Sequence, residues 1–104
     1  MLFRSWQAGG EDDVQPAAAG AKGYLALNFN GVGADYPATQ EIVKHVVDTG
    51  NSQAAREKVG ENLYNRGVYN GVLIAEAIRT AQKLSGRKVV TGKEMRRGLE
   101  SLAI

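Results

Sequence analysis

The sequence predicts an α/β fold that is mostly helical, with about four helices and two or three short strands. Residues 2–6 and 24–29 are apolar, partly aromatic segments with the length of strands. From Asp35 onward, apolar residues recur at intervals of three and four, as they do on one face of a helix. The 104 residues allow one domain.

The first third of the chain is predicted to hold the strands. Residues 2–6 end at a small-residue turn, and Glu11, Asp12 and Asp13 then begin a short helix. Carboxylates at that position favour a helix because its N-terminus carries partial positive charge. Residues 24–29 are the best strand candidate, and residues 30–33 are predicted to form a flexible glycine-rich loop.

Three helices are predicted in the rest of the chain. Pro37 suits the first turn of one helix. A second runs from about Glu61 to Leu84, and Gly86 is predicted to end it in a left-handed conformation. The last begins at a T-x-x-E capping box and buries a stripe of three apolar residues; residues 88–90 before it are a further strand candidate. The capping pair is Thr91 and Glu94, and the stripe is Met95, Leu99 and Leu102.

Composition argues against an enzyme. The chain has no Cys and one His, which excludes thiolate chemistry and leaves little for a zinc site. His45 has Glu41 one helical turn away, a spacing typical of a solvated ion pair. We therefore predict no catalytic residue, no metal site and no cofactor.

Two surface patterns allow alternative interpretations. A basic cluster on the last helix could meet phosphates, but it lacks a nucleic-acid-reading motif, so we predict no nucleic acid partner; its residues are Lys88, Lys93, Arg96 and Arg97. Gly67, Gly71 and Ala75 share one helix face although each Gly costs roughly 1 kcal/mol there. This face predicts close approach of another backbone. An alternative function is accordingly a small helical protein–protein interaction module.

Trp6 stands at the end of the first predicted strand. An aromatic there is most often part of a core or an edge. Open α/β sheets, however, bind ligands beyond the carboxyl ends of their strands. On that rule Ser5, Trp6 and Gln7 are the candidate ligand-binding residues.

The order of motifs along nearly the whole chain resembles the substrate-binding proteins of branched-chain amino-acid (Leu/Ile/Val) ABC transporters, of the type I periplasmic-binding family. The matching segments are residues 5–17, 21–24, 36–43, 64–69, 75–81 and 95–100. The resemblance implies a partial type I periplasmic-binding fold from the C-terminal half of a longer protein. Residues 1–24 would end one lobe, 25–30 would cross the hinge, and 31–104 would form the helical part of the other lobe. Leu27, Asn28 and Phe29 would be the hinge residues.

The same resemblance implies a function. The complete protein would bind an amino acid or related carboxylate between two lobes, in the periplasm, and deliver it to a membrane permease. Trp6 stands where the family carries an acidic residue, which implies either an aromatic wall or lost amino-acid specificity. For this chain alone, which shows no signal peptide, the expectation is weak or absent ligand affinity and a tendency to self-associate.

Overall fold

The structure is a computed structural model that describes residues 10–26 and 28–103. Regular structure within these residues is helical throughout. Helix α1 covers Glu11–Val14 and continues as a 3₁₀ helix over Gln15–Ala21; α2 covers Pro37–Ile42 and continues as a π-helical turn over Val43–Val47. A 3₁₀ turn at Arg56–Lys58 precedes the long helix α3, Asn62–Ser85, and α4 covers Gly92–Glu100.

The predicted α/β fold, with its partial periplasmic-binding architecture, is wrong for the described part of the chain. Residues 24–26, 28–29 and 88–90 are irregular rather than extended in a sheet. Leu25 is 70% exposed and Phe29 54% exposed, so this apolar segment lacks the flanking strands that would pair its backbone and cover its side chains. The strand predicted at residues 2–6 lies outside the described residues.

The chain divides into two compact units, one ending at Val68 and the other beginning at Tyr69. The predicted division into residues 1–24, 25–30 and 31–104 remains a prediction. In the first unit, α2 begins with Pro37 in its first turn, as predicted. His45 Nε2 lies 3.1 Å from Glu41 Oε2, and both side chains are largely exposed, which confirms the solvated ion pair.

In the second unit, α4 packs against α3 through small residues. Gly98 is buried, and a Cβ atom placed on it would lie 2.5 Å from the Ala77 carbonyl oxygen and 2.8 Å from Ala81 Cβ. Ala77 and Ala81 are fully buried. The stripe predicted on α4 is therefore wrong in part, because Leu99 is 49% exposed while Gly98 makes the contact.

The start and end signals around these helices are confirmed. Thr91 Oγ1 accepts a hydrogen bond from the Glu94 backbone N–H at 3.3 Å, and the Thr91 N–H donates to Glu94 Oε2 at 2.7 Å. The Thr91 N–H, followed by the Thr91 hydroxyl, which donates to Glu94 Oε2 at 2.9 Å, holds the pKa of Glu94 below its usual value. Gly86 ends α3 with a φ of +68°, a region that costs glycine little.

The close approach predicted at Gly67 and Gly71 is not made within the described residues, and for a partner outside them it remains a prediction. Neither glycine has another part of the described chain within 4 Å of the position its Cβ would occupy. A close helix contact that was not predicted lies at Gly98, where an added Cβ atom would meet the backbone and a methyl group of α3.

Candidate functional site

The N-terminus of α3 is joined by hydrogen bonds to several other segments of the first unit. The backbone N–H of Asn62 points at the carboxylate of Glu11, 3.0 Å from Oε2 and 3.1 Å from Oε1. A helix leaves its first N–H groups without internal partners, and its N-terminus favours negative charge. Glu11 therefore caps α3, rather than only stabilising the short helix that it begins.

The side chain of Asn62 joins the same helix end to the segment before α2. Its Nδ2 donates to Asn28 Oδ1 at 3.1 Å, and its Oδ1 accepts from Asn30 Nδ2 at 3.2 Å. Asn30 Nδ2 also lies 3.1 Å from the Asn62 carbonyl oxygen. Because Asn62 is 3% exposed, these bonds form away from bulk water, where leaving a polar group unpaired is costly.

Asn65, one turn further along α3, fixes the glycine-rich loop. Its Nδ2 donates to the carbonyls of Gly31 at 3.0 Å and Gly33 at 2.8 Å. The Gly33 N–H in turn donates to the Gly60 carbonyl at 2.8 Å. The loop predicted to be flexible is thus tied to α3 at several points. Asn65 Oδ1 is buried and has no hydrogen-bond partner within the described residues.

Arg66, the next residue of α3, also contacts the segment before α2. Its guanidinium carbon lies 4.9 Å from the centroid of the Phe29 ring, in cation–π geometry. Its Nε is 3.5 Å from Asn30 Oδ1 and its Nη2 is 3.5 Å from Asn28 Oδ1. Phe29 is thereby held beside α3 although it is half exposed.

A small ion-pair network lies just before α3. Lys58 Nζ is 2.5 Å from Asp12 Oδ1 and 3.2 Å from Glu61 Oε1. The hydrogen bond to Asp12, followed by the one to Glu61, raises the pKa of Lys58 above its usual value. Together with Glu11, this network holds α1 against the approach to α3.

An open groove of about 560 Å³ lies between α1 and this helix end. Glu11, Asn28 and Asn62 form its polar wall. Val14, Ala18 and Val32 are among its apolar lining. The polar groups of this wall form hydrogen bonds with one another, and these bonds hold the groove in shape. Within the part of the chain that the structure describes, no three His, Cys, Asp or Glu side chains converge as a metal site would require.

Only some of the predicted site residues lie within the described part of the chain. Ser5, Trp6 and Gln7, the predicted ligand contacts, and Leu27, a predicted hinge residue, lie outside the described residues. Asn28 and Phe29 belong to the cluster around α3 described above. Their role as a hinge remains a prediction.

Sequence reasoning missed the residues that organise this cluster. Glu11 was predicted to serve its own helix, and Asn30, Asn62 and Asn65 were given no role. A pattern in the sequence does point to them: Asn62 and Asn65 are one turn apart at the start of the longest helix, and two further Asn flank residue 29. Asn side chains both donate and accept hydrogen bonds, which suits them to pairing loops with helix ends.

Comparison with solved structures finds a similarity to the crystal structure of an ABC transporter permease from the Pseudomonas fluorescens group. The match has a TM-score of 0.83 and 38% sequence identity over 93% of this chain. The chain corresponds to 24% of the length of that permease chain. No protein-family model matches the sequence. No curated protein matches it either.

This finding corrects the identity drawn from the sequence. The matched protein is described as a permease, so the predicted identity as a Leu/Ile/Val-binding, substrate-binding protein is wrong, and so is the function of binding an amino acid for delivery. The permease was expected as a separate partner, whereas the similarity lies with a permease itself. The ABC-transporter context is the part of the prediction that agrees with the comparison.

The same comparison bears on two further expectations. The periplasmic location is contradicted, because it was expected for a substrate-binding protein and the matched structure is described as a permease. The alternative of a helical interaction module is likewise not supported, since the similarity found is to an ABC transporter permease. None of the described helices has the length and apolar character of a membrane span.

Proposed function

We propose that this chain is the counterpart of one quarter of an ABC-transporter permease and that the complete protein takes part in ATP-driven transport. The observation that carries the proposal is the similarity of 38% identity and TM-score 0.83 over 93% of the chain. Sequence identity at that level over nearly the whole chain supports the proposal that this chain occupies the equivalent position in a longer protein.

The hydrogen bonds at the start of α3 give the proposal a structural basis. Glu11, Asn62 and Asn65 join three separate stretches of the first unit by hydrogen bonds, most of them to backbone atoms. A segment that secures its own loops in this way can keep its local fold inside a larger chain. The role needs no covalent chemistry from these residues, so we also propose that the protein is not an enzyme in this part.

A segment exchange tests the proposal. The matched quarter of the Pseudomonas fluorescens group permease is replaced by this chain, and co-purification with the ATP-hydrolysing subunit of its transporter is measured. We expect the exchanged permease to assemble as the unaltered one does. A stable exchanged protein that no longer binds that subunit contradicts the proposal.

A matched pair of variants tests whether the hydrogen bonds of Asn65 support assembly. Asn65→Leu removes two partly buried hydrogen bonds to backbone carbonyls and should lower the yield of assembled transporter. Asn70→Leu changes an exposed residue of the same helix and should leave the yield unchanged. Equal yields for the two variants would show that the cluster around α3 does not support assembly.

A further inference from the structure

The second unit carries an excess of positive charge. Residues 69–104 contain seven Lys and Arg against three Glu. Each Glu is paired with an Arg: Glu76 with Arg79, Glu94 with Arg87, and Glu100 with Arg96. Four cations have no acidic partner within the described residues; these are Lys83, Lys88, Lys93 and Arg97.

Two of these four cations line one cleft at the C-terminal end of α3. The cleft has a volume of about 400 Å³ and is open to solvent. Its charged lining is entirely basic, and comprises Arg79, Lys83, Arg87 and Lys88. Arg79 and Arg87 pair with Glu76 and Glu94, so Lys83 and Lys88 carry the uncompensated charge of the cleft, one cation more than the negative end of the helix dipole would explain.

The loop that follows α3 is held in position and presents an apolar tip. Gln82 Nε2 donates to the Lys88 carbonyl at 2.6 Å, and the Arg87 N–H donates to Ser85 Oγ at 3.3 Å. Val89, the next residue, is 84% exposed, the highest exposure among the large apolar side chains of the described residues. An apolar side chain standing beside basic ones suits the boundary between lipid headgroups and acyl chains.

We propose that the basic cleft and Val89 form a docking surface for an anionic lipid membrane. Lys83 and Lys88 lie near the lipid phosphates, and Val89 enters the headgroup region. A phosphate backbone of nucleic acid would satisfy the cations but offers nothing apolar to Val89. Charge complementarity together with the exposed apolar tip therefore favours lipid over nucleic acid.

Vesicle flotation tests this surface on the full 104-residue chain. Binding to phosphatidylcholine vesicles is compared with binding to vesicles that also contain phosphatidylserine. We expect binding that increases with phosphatidylserine and is lost at high salt, because salt screens exposed charges. Equal binding to neutral vesicles, or none to either kind, overturns the proposal.

Substitutions then locate the surface. Lys83→Gln with Lys88→Gln should lower the partition coefficient about fivefold per charge, whereas Lys22→Gln with Lys44→Gln, exposed lysines of the first unit, should leave it unchanged. Val89→Ser should lower vesicle binding while leaving the circular dichroism spectrum as it was. Displacement of the vesicles by duplex DNA or inorganic phosphate at equal phosphate concentration would overturn the assignment to lipid.

Discussion

Gly98→Ala is the substitution whose effect the structure defines best. The added methyl group would lie 2.5 Å from the Ala77 carbonyl oxygen and 2.8 Å from Ala81 Cβ. The first distance is roughly 1 Å shorter than an optimal contact between non-bonded atoms. Neither obstacle can rotate away, since one is backbone and the other a methyl group fixed to it. The helices must therefore separate, or the backbone must shift.

The magnitude follows from two opposing terms. Overpacking of a close contact costs about 1–3 kcal/mol. Alanine regains up to ~1 kcal/mol over glycine through its higher helix propensity. We expect Gly98→Ala to lower the free energy of unfolding by about 0–2 kcal/mol, the difference between these terms.

Gly71→Ala is the matched control, because it makes the same chemical change on a helix of the same unit. The position of its Cβ is open, so only the propensity term applies, and the free energy of unfolding should rise by about 1 kcal/mol. Urea denaturation followed by circular dichroism at the helix band measures both variants. The difference between them isolates the packing cost. If both variants stabilise the chain equally, the contact between α4 and α3 is not as close as described.

The remaining predictions concern helix ends. Thr91→Ala removes the side-chain acceptor of the capping box and should lower the free energy of unfolding by about 0.5–2 kcal/mol in urea denaturation; an unchanged midpoint would contradict the cap. Asn65→Ala removes the side-chain donor to the Gly33 carbonyl and one of two donors to the Gly31 carbonyl, which keeps Asn30 Nδ2, and should cost about 1–3 kcal/mol by the same measurement, whereas Asn70→Ala, at an exposed position, should cost little. Because the folded state lowers the pKa of Glu94, its stabilisation is present at neutral pH and is lost as the pH falls through that lowered pKa. Glu94→Gln should therefore reduce the loss of unfolding free energy as the pH is lowered. An unchanged dependence on pH would show that other groups cause the loss of stability in acid.

The helix ends were predictable because their signals are local. Gly86 supplies a left-handed residue that few others adopt, and Thr91 with Glu94 satisfies its own backbone N–H groups within four residues. Neither feature depends on what packs against the helix. The sequence therefore placed the end of α3 and the start of α4 correctly.

The strand prediction failed because its outcome depends on distant neighbours. An apolar stretch such as residues 24–29 resembles a strand whether or not other strands flank it. In the structure it meets no strand in the described chain; Phe29 packs under Arg66 of α3 instead. Composition and periodicity cannot supply that contact, which joins residues far apart in the sequence.

Even less of the candidate site than of the fold could be predicted from the sequence. Its organising bonds join Glu11 to Asn62 and Asn65 to Gly31 and Gly33. Isolated Asn residues have no spacing rule that identifies such partners, and Glu11 has an equally reasonable local role at its own helix. The small-residue contact at Gly98 was not predicted, because a glycine in a helix does not by itself indicate which helix packs against it.

Transport by the exchanged permease tests the central claim most directly. The permease of the Pseudomonas fluorescens group transporter, carrying this chain in place of its matched quarter, is reconstituted with its ATP-hydrolysing subunit, and ATP-driven uptake into vesicles is measured. The account predicts uptake well above that of vesicles without the permease. A folded, assembled transporter with no ATP-dependent uptake would contradict the assignment of this chain to an ABC-transporter permease.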